Sequence, residues 1–305
     1  MCALFNSFSP AVPQLGTAGG DKHACKELSM VSHLERSFEK IGATVQIVNI
    51  DAQRGSGARG WFRGLRQGVP VSLDVTTNKR GGESFLIRVR QDLARVDLTV
   101  LEVRKDERHL VLLAKHFDRD GRPTGKEHFL CGHDERHFFV ALVQPVSTVT
   151  AAKDSLKPDT IKESEAHLSA AKRNRRKTDG FKRQGEWFFV PAEVDLERVV
   201  VRKNEPLRRG NRSKAHIAQF AVRKGGESVK VCSRYPNGLN ATEYKELLDS
   251  DPSAAYWGWS DMVRDAEVFV KGTVRHPDHA TIKLDGWHRV FMNSERVSEA
   301  VAFLD

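Results

Sequence analysis

The sequence has little of what marks exported, disulfide-bonded or membrane-spanning proteins. Its 305 residues include only 4 Cys and no Cys-x-x-Cys pair, so neither a disulfide framework nor a zinc ribbon is indicated. The longest apolar runs, such as residues 138–143, are strand-sized and shorter than the roughly 18 residues of a membrane helix. Residues 1–15 lack the basic start and apolar core of a signal peptide. We therefore expect a soluble, cytoplasmic protein with no membrane partner.

Short motifs that carry a known chemistry are also missing. The chain has no P-loop, no G-x-G-x-x-G, no G-x-S-x-G, no EF-hand loop and no H-E-x-x-H. The residues identify no protein family. Function therefore has to be argued from composition, charge and clusters of side chains.

What the chain does contain is a globular composition with a basic excess. Hydrophobic residues make up 39% and include 16 Phe, which suits a packed core and not a disordered chain. Domains usually have about 100–200 residues, so the length predicts two. Residues 1–30 mix Ser, Pro, Gly and Ala without periodicity, which predicts a flexible extension. Either Met1 or Met30 is a candidate for the native start.

Apolar runs between turn signals predict that residues 31–146 form an antiparallel β module. The module is predicted to begin with a short helix that ends at Gly42. Three hairpins are predicted, with paired strands at 69–75 and 85–90, 96–103 and 110–114, and 128–131 and 138–143. Successive hairpins at this spacing favour a meander that curls into a small barrel or half-barrel.

A helical connector and a second β-rich module are predicted to follow. Residues 147–180 are predicted as a short helix, a break at Pro158 and a longer basic helix over 159–177. Residues 181–305 are predicted to contain strands at 186–190, 198–202, 216–222, 229–232, 268–274, 280–284 and 287–292, and helices at 242–266 and 294–304. The fold class is thus α+β and β-dominated, with two antiparallel hairpin or small-barrel modules joined by a helical segment.

The net charge of +9 is concentrated in one stretch of the chain. Residues 172–234 contain 18 Lys/Arg and 7 Asp/Glu, which accounts for the whole basic excess. A local basic surface attracts polyanions through Coulomb forces and counterion release, so we predict a nucleic-acid partner. The candidate nucleic-acid-binding residues form two clusters: Lys172, Arg173, Arg175, Arg176, Lys177, Lys182 and Arg183, then Arg202, Lys203, Arg208, Arg209, Arg212 and Lys214. The alternative is that these charges are solvated faces of a helix end and a loop.

A histidine-rich sequence near the C-terminus is the candidate metal site. His276 and His279 flank a Pro-Asp turn, and His288 is predicted to begin the next strand after an Asp285-Gly286 turn. With Asp278, these residues offer the imidazole and carboxylate ligands that suit a divalent Zn, Mn, Fe or Ni ion. Such an ion activates water for hydrolysis of a phosphate or acyl bond. The alternative is that these side chains satisfy one another and the turn backbone.

Residues 131–137 form a third cluster, which combines a thiol with two imidazoles. Cys131 and His133 have the residue types of a nucleophile and its base. The Phe residues around them favour a buried thiol, and buried thiols are inert.

Three functions follow from these patterns. The first is a nucleic-acid-binding protein that uses the basic surface of 172–234. The second is a metal-dependent hydrolase or nuclease with the His/Asp cluster at 276–288. The third is a structural or assembly protein without catalysis. The patterns indicate no oligomeric state.

Overall fold

The computed structural model describes residues 20–50, 70–90, 93–208 and 214–294. Strands make up 46% of it and helices 19%, which confirms the predicted α+β, β-dominated fold class. The predicted C-terminal helix lies outside the described residues after Ser294. Among the described helices, none has the length and apolarity to cross a bilayer. The predicted domain boundaries stay predictions.

The first group of strands forms two sheets that pack with one helix. Its elements are α1 (Gly20–Glu39), β1 (Val45–Asn49), β2 (Val71–Thr77), β3 (Glu83–Val89), β4 (Val96–Arg104), β5 (His109–Phe117), β6 (Pro123–Asp134) and β7 (His137–Val143). One sheet has the order β1-β3-β2 and the other β4-β5-β6-β7. The three predicted hairpins are confirmed. The parallel pairing of β1 with β3 is an addition that no hairpin pattern predicts.

One apolar core holds these two sheets and α1 together. Leu34 and Phe38 lie on one face of α1, Ile41 follows in the turn after it, and all three are buried in this core. The ring of Phe38 lies 4.9 Å from that of Phe85 on β3. The helix stops where Gly42 takes a φ of +76°, as predicted.

The connector after β7 contains three short helices: α2 (Val149–Ser155), α3 (Asp159–Ser164) and α4 (Ala170–Arg173). The prediction of one long helix over 159–177 is therefore wrong. The buried Lys157 explains the break, because its Nζ lies 3.6 Å from Glu165 and donates a hydrogen bond of 2.5 Å to the Arg173 carbonyl. These contacts hold the chain folded back on itself after α3.

The second group of strands forms a six-stranded sheet and a two-stranded sheet. Its strands are β8 (Lys182–Gln184), β9 (Trp187–Pro191), β10 (Arg202–Leu207), β11 (His216–Lys224), β12 (Glu227–Val231), β13 (Ser260–Arg264), β14 (Glu267–Arg275) and β15 (Ile282–Met292). The larger sheet has the order β10-β11-β14-β15-β9-β8. The sheet is strongly coiled, as shown by the hydrogen bond between Gln184 on the edge strand β8 and His216 on β11, four strands away. Its described edges β10 and β8 do not pair, so the predicted small barrel does not close.

Two strand predictions in this region need correction. The strand predicted at 198–202 instead begins at Arg202, where pairing with β11 starts. The strands predicted at 280–284 and 287–292 are one strand, β15, which pairs with β14 on both sides of a register shift and with β9 over residues 288–292. Asp285 and Gly286 therefore lie inside a strand and form no turn.

The two-stranded sheet extends the central ribbon of the larger one into an arm, which we define as residues 227–264. β12 follows β11 and β13 precedes β14, yet β12 and β13 pair with each other and with no strand of the larger sheet in the described structure. The helix predicted at 242–266 is too long, since α5 (Ala241–Ser250) and a 3-10 turn (Pro252–Tyr256) give way to β13. At the base of the arm, a Cβ on Gly226 would lie 2.7 Å from the Arg264 carbonyl oxygen, so only glycine fits.

Candidate metal centre

Strand register brings a third histidine to the two predicted ones. The antiparallel β11–β14 ladder pairs Ile217 with Arg275, so one step further His216 stands beside His276. His279 completes a group of three imidazoles, one nitrogen of each lying within 4.8 Å of the others. His216 is 1% exposed, whereas His276 and His279 are half-buried. The cluster thus lies at the end of the β11–β14 ribbon with one side accessible.

A buried glutamine fixes the proton of His216. The amide nitrogen of Gln184 donates to the carbonyls of Val274 (3.3 Å) and Ala280 (2.6 Å). Its amide oxygen, which only accepts, lies 2.9 Å from His216 Nδ1. His216 Nδ1 therefore carries the proton and donates it, which leaves a lone pair on Nε2. Metal-binding histidines in proteins are held in this way.

His279 is held from the other side by a hairpin of the first group of strands. Its Nδ1 is buried without a hydrogen-bond partner and lies 3.7 Å from the Glu135 carboxylate at the β6–β7 turn. The same carboxylate accepts a hydrogen bond of 2.6 Å from the Ala280 backbone N–H. A proton on Nδ1 would face this carboxylate and leave the lone pair on Nε2.

His276 is oriented differently from its neighbours. Its Nδ1 accepts a hydrogen bond of 3.2 Å from the Asp278 backbone N–H, so the neutral ring carries its proton on Nε2. A metal has to compete with that N–H or displace that proton. His276 is consequently the weakest of the three donors.

The environment keeps two of the rings neutral near pH 7. Burial, followed by the nearby rings of His216 and His279, lowers the pKa of His276 to about 4. Burial also lowers the pKa of His279, again with His216 contributing. A metal binds the neutral imidazole, so these shifts leave the ligand form dominant at neutral pH.

A tight turn between β8 and β9 covers the cluster. Gly185 adopts a φ of +58°, and a Cβ at this position would lie 2.8 Å from His279 Nε2. Glycine therefore lets the backbone approach the imidazoles. The next residue, Glu186, places a carboxylate oxygen 3.7 Å from His216 Nε2. The cluster accordingly has an acidic group beside its freest nitrogen.

The three rings are stacked with interplanar angles of 20° to 29° and centroids 4.1–5.6 Å apart. Nitrogen lone pairs lie in the ring planes, so nearly parallel rings do not point at one centre. In a tetrahedral zinc site with Zn–N of about 2.0–2.1 Å, ligand nitrogens are about 3.3 Å apart. Binding of a metal therefore requires the rings to rotate and draw together.

The other two predicted metal ligands are not part of the group of three. The Asp278 carboxylate binds the Lys214 ammonium at 2.6 Å; burial raises the pKa of this carboxyl, but Lys214, His276 and His137 together lower it below its ordinary value. His288 pairs opposite Val270 on β15, about 17 Å along the ribbon from Arg275 at 3.3 Å per residue. It donates from Nδ1 to the Gly286 carbonyl. His288 lies away from the other histidines because β15 continues past Asp285 and Gly286 instead of turning back.

Many of the predicted nucleic-acid-binding residues have carboxylate partners. Arg173 pairs with Asp154, Arg176 with Asp134 and Glu135, Arg183 with Asp134, Lys182 with Asp285, Arg202 with Glu205, and Lys214 with Asp278. Lys172, Arg175, Lys177, Lys203 and Arg208 are exposed and make no ion pair with a described residue. Arg209 and Arg212 lie outside the described residues.

The third cluster offers no activated thiol. Cys131 is fully buried in the first core, and burial raises the pKa of its thiol far above the ordinary value. His133 packs edge-on against Phe138. The thiol therefore has a packing role.

Sequence reasoning missed His216, Gln184 and Glu135, which lie on separate strands and turns. The only sequence signal for His216 is that it begins a predicted strand. This signal does not show which strand lies beside it or which side chains it meets. No family model, no curated protein and no solved structure matches this chain.

Proposed function

We propose that His216, His276 and His279 bind a divalent transition-metal ion, with zinc as the best fit, and that the chain is a metal-dependent hydrolase. The observation that carries the proposal is the Gln184–His216 hydrogen bond, which leaves an unprotonated Nε2 on one of three imidazoles whose ligand atoms lie within 4.8 Å of one another. Three imidazoles with an accessible side have the ligand set of a catalytic zinc site, where a water takes the fourth position.

The groups around the cluster favour a phosphate ester as substrate. The cations of Lys214 and Arg176 are tied to Asp278 and Glu135, which adjoin the histidines. A phosphoryl group at the cluster would compete with these two carboxylates for the cations, which would then offset charge on the phosphoryl oxygens.

The reaction is a displacement of an alcohol by water. A metal held by His216, His276 and His279 would lower the pKa of a bound water, whose oxygen would form a bond to phosphorus as the bond to the leaving alcohol breaks. The Glu186 carboxylate, 3.7 Å from His216 Nε2, would take the proton of the water and pass it to the leaving oxygen.

The test is turnover of bis(p-nitrophenyl) phosphate by protein stripped with EDTA and reloaded with Zn²⁺, Mn²⁺ or Co²⁺. We expect reloading to restore activity in the wild type and in His288→Ala, and His279→Ala to lose at least about 100-fold, as expected when a ligand of the catalytic metal is removed. Binding of the metal without turnover of any ester would contradict the hydrolase and keep the metal site.

A second candidate function is nucleic-acid binding by the exposed cations of the basic surface. Lys172, Arg175 and Lys177 supply three neighbouring charges without an ion pair to a described residue. Phosphates release counterions when such charges bind them. This function is compatible with the first, because a nucleic acid is also a phosphodiester.

Fluorescence anisotropy with labelled single-stranded and duplex DNA and RNA in a salt series tests this candidate. We expect the triple variant Lys172→Glu, Arg175→Glu, Lys177→Glu to weaken binding by at least about tenfold and to reduce the salt slope by about 3. Lys182→Glu, whose ammonium is tied to Asp285, is the control. Equal affinity and slope in the triple variant would contradict the candidate.

A further inference from the structure

The arm, residues 227–264, concentrates the aromatic side chains that protein interfaces use. It contains all three Tyr of the chain and two of the five Trp: Tyr235, Tyr244, Tyr256, Trp257 and Trp259. Tyr256 is 90% exposed, and Met262 and Val263 on β13 are 55% and 56% exposed. Tyr, Trp and Met are enriched where proteins meet, so this surface is suited to a protein partner.

The charge of the arm opposes that of the rest of the chain. Its four Lys/Arg and six Asp/Glu give a net charge of −2, which leaves +11 on the remaining residues. Glu227 and Asp261 are paired with Arg264 and Lys230 inside the arm. Glu246 and Asp249 on α5 are exposed and have no ion pair to a described residue. The arm therefore repels polyanions and attracts cationic surfaces.

The aromatic face of the arm already holds a cation. The guanidinium carbon of Arg234 lies 4.0 Å over the ring of Trp257, within the range of a cation–π contact. Tyr235 lies parallel to Trp257 at 9° with the ring centres 6.2 Å apart, and both are half-buried. Tyr256, which is exposed at the end of the turn that follows α5, offers a further aromatic ring to the lysine and arginine side chains of a partner.

The same chain carries a surface that complements the arm. Lys172, Arg175 and Lys177 project from the connector, exposed and without an ion pair to a described residue. We propose that the arm of one copy binds residues 172–177 of a second copy, and that reciprocal contacts form a closed two-fold dimer. The inference is independent of the metal centre.

The test is sedimentation velocity at low and high salt over a range of protein concentrations. We expect a dimer at low salt that dissociates as salt rises. Glu246→Lys with Asp249→Lys, and separately Lys172→Glu with Arg175→Glu and Lys177→Glu, should each raise the dimer Kd at least tenfold. Combining the two sets should restore most of the affinity, because the charges are again complementary.

Two further variants separate docking from folding. Tyr256→Ala removes a side chain that is 90% exposed, so we expect an unchanged melting temperature and a dimer Kd raised about tenfold. Glu193→Lys with Glu197→Lys is the control for Glu246→Lys with Asp249→Lys. It changes the net charge by the same amount on exposed residues outside the arm, and it should leave the dimer Kd unchanged. A monomeric wild type at low salt, or a dimer that neither charge reversal weakens, would overturn the proposal.

Discussion

Replacing His216 by Ala is expected to weaken Zn²⁺ binding by at least about 100-fold. Structural zinc sites are stabilised by about 10–16 kcal/mol over four ligands, so one ligand contributes roughly 3 kcal/mol, or about two powers of ten. Of the three histidines, replacement of His216 should cause the largest loss of Zn²⁺ affinity, because Gln184 holds the proton of His216 on Nδ1 and leaves the Nε2 lone pair for the metal. Isothermal titration of the metal-free protein with Zn²⁺ measures the loss.

Three matched variants sharpen this result. Gln184→Leu leaves all three imidazoles in place but removes the acceptor for His216 Nδ1, so we expect a loss of about 10- to 100-fold. His276→Ala should cost less than His216→Ala, because the Asp278 N–H already occupies the Nδ1 lone pair of His276. His288→Ala should change nothing, since His288 lies along β15 away from the cluster.

The visible spectrum of the Co²⁺-loaded protein provides an independent readout. A tetrahedral site gives intense d–d bands, and these should disappear in His216→Ala while persisting in His288→Ala. An unchanged Zn²⁺ affinity in His216→Ala would place any bound metal elsewhere and remove the proposed centre.

The strands next to each other in sequence were predictable, and the pairings between distant strands were not. The hairpins at 71–89, 96–117 and 123–143 follow from alternating apolar residues and polar turns, which are local signals. The pairing of β11 with β14 joins segments on either side of the arm. His216 reaches His276 only through that pairing, so no local pattern reveals the third imidazole.

The prediction of His288 as a ligand failed for the same reason, because local sequence does not show how distant strands pair. Asp285-Gly286 has the residue types of a tight turn, and a turn there would return His288 toward His279. Instead β15 pairs with β14 on both sides of these residues and passes them with a register shift, so the chain continues as one strand. Pairing between strands thus overrode a local turn preference.

Sequence also gives the positions of charges without giving their partners. Arg176 and Arg183 contribute to the predicted basic surface, but both pair with Asp134 at the end of β6. The carboxylate comes from a strand about 40 residues earlier, so the sequence overstates the charge available to a polyanion. Exposed cations such as Lys172 and Arg175 are the ones that remain for a partner.

Lys157→Met is expected to destabilise the fold by about 3–5 kcal/mol, the cost of leaving a buried charge without its partner. Lys157 is 4% exposed and lies 3.6 Å from Glu165, which is 2% exposed and has no hydrogen bond to either carboxylate oxygen. Removing the ammonium leaves that carboxylate buried alone. Urea unfolding followed by circular dichroism measures the free energy of unfolding, and an unchanged m-value shows that the comparison is valid.

The double variant Lys157→Met, Glu165→Leu identifies the cause of the loss. If the uncompensated carboxylate is the main cost, removing it should recover at least about half of the lost free energy. The exposed pair Lys162–Asp159 gives the control, and Lys162→Met should cost no more than about 0.5 kcal/mol. A double variant as unstable as Lys157→Met alone would instead assign the loss to the other contacts of the Lys157 ammonium, with Asp154 at 3.1 Å and with the Arg173 carbonyl. The bond to the Arg173 carbonyl anchors the start of segment 172–177. Lys157→Met should therefore also weaken the binding of any partner to this segment.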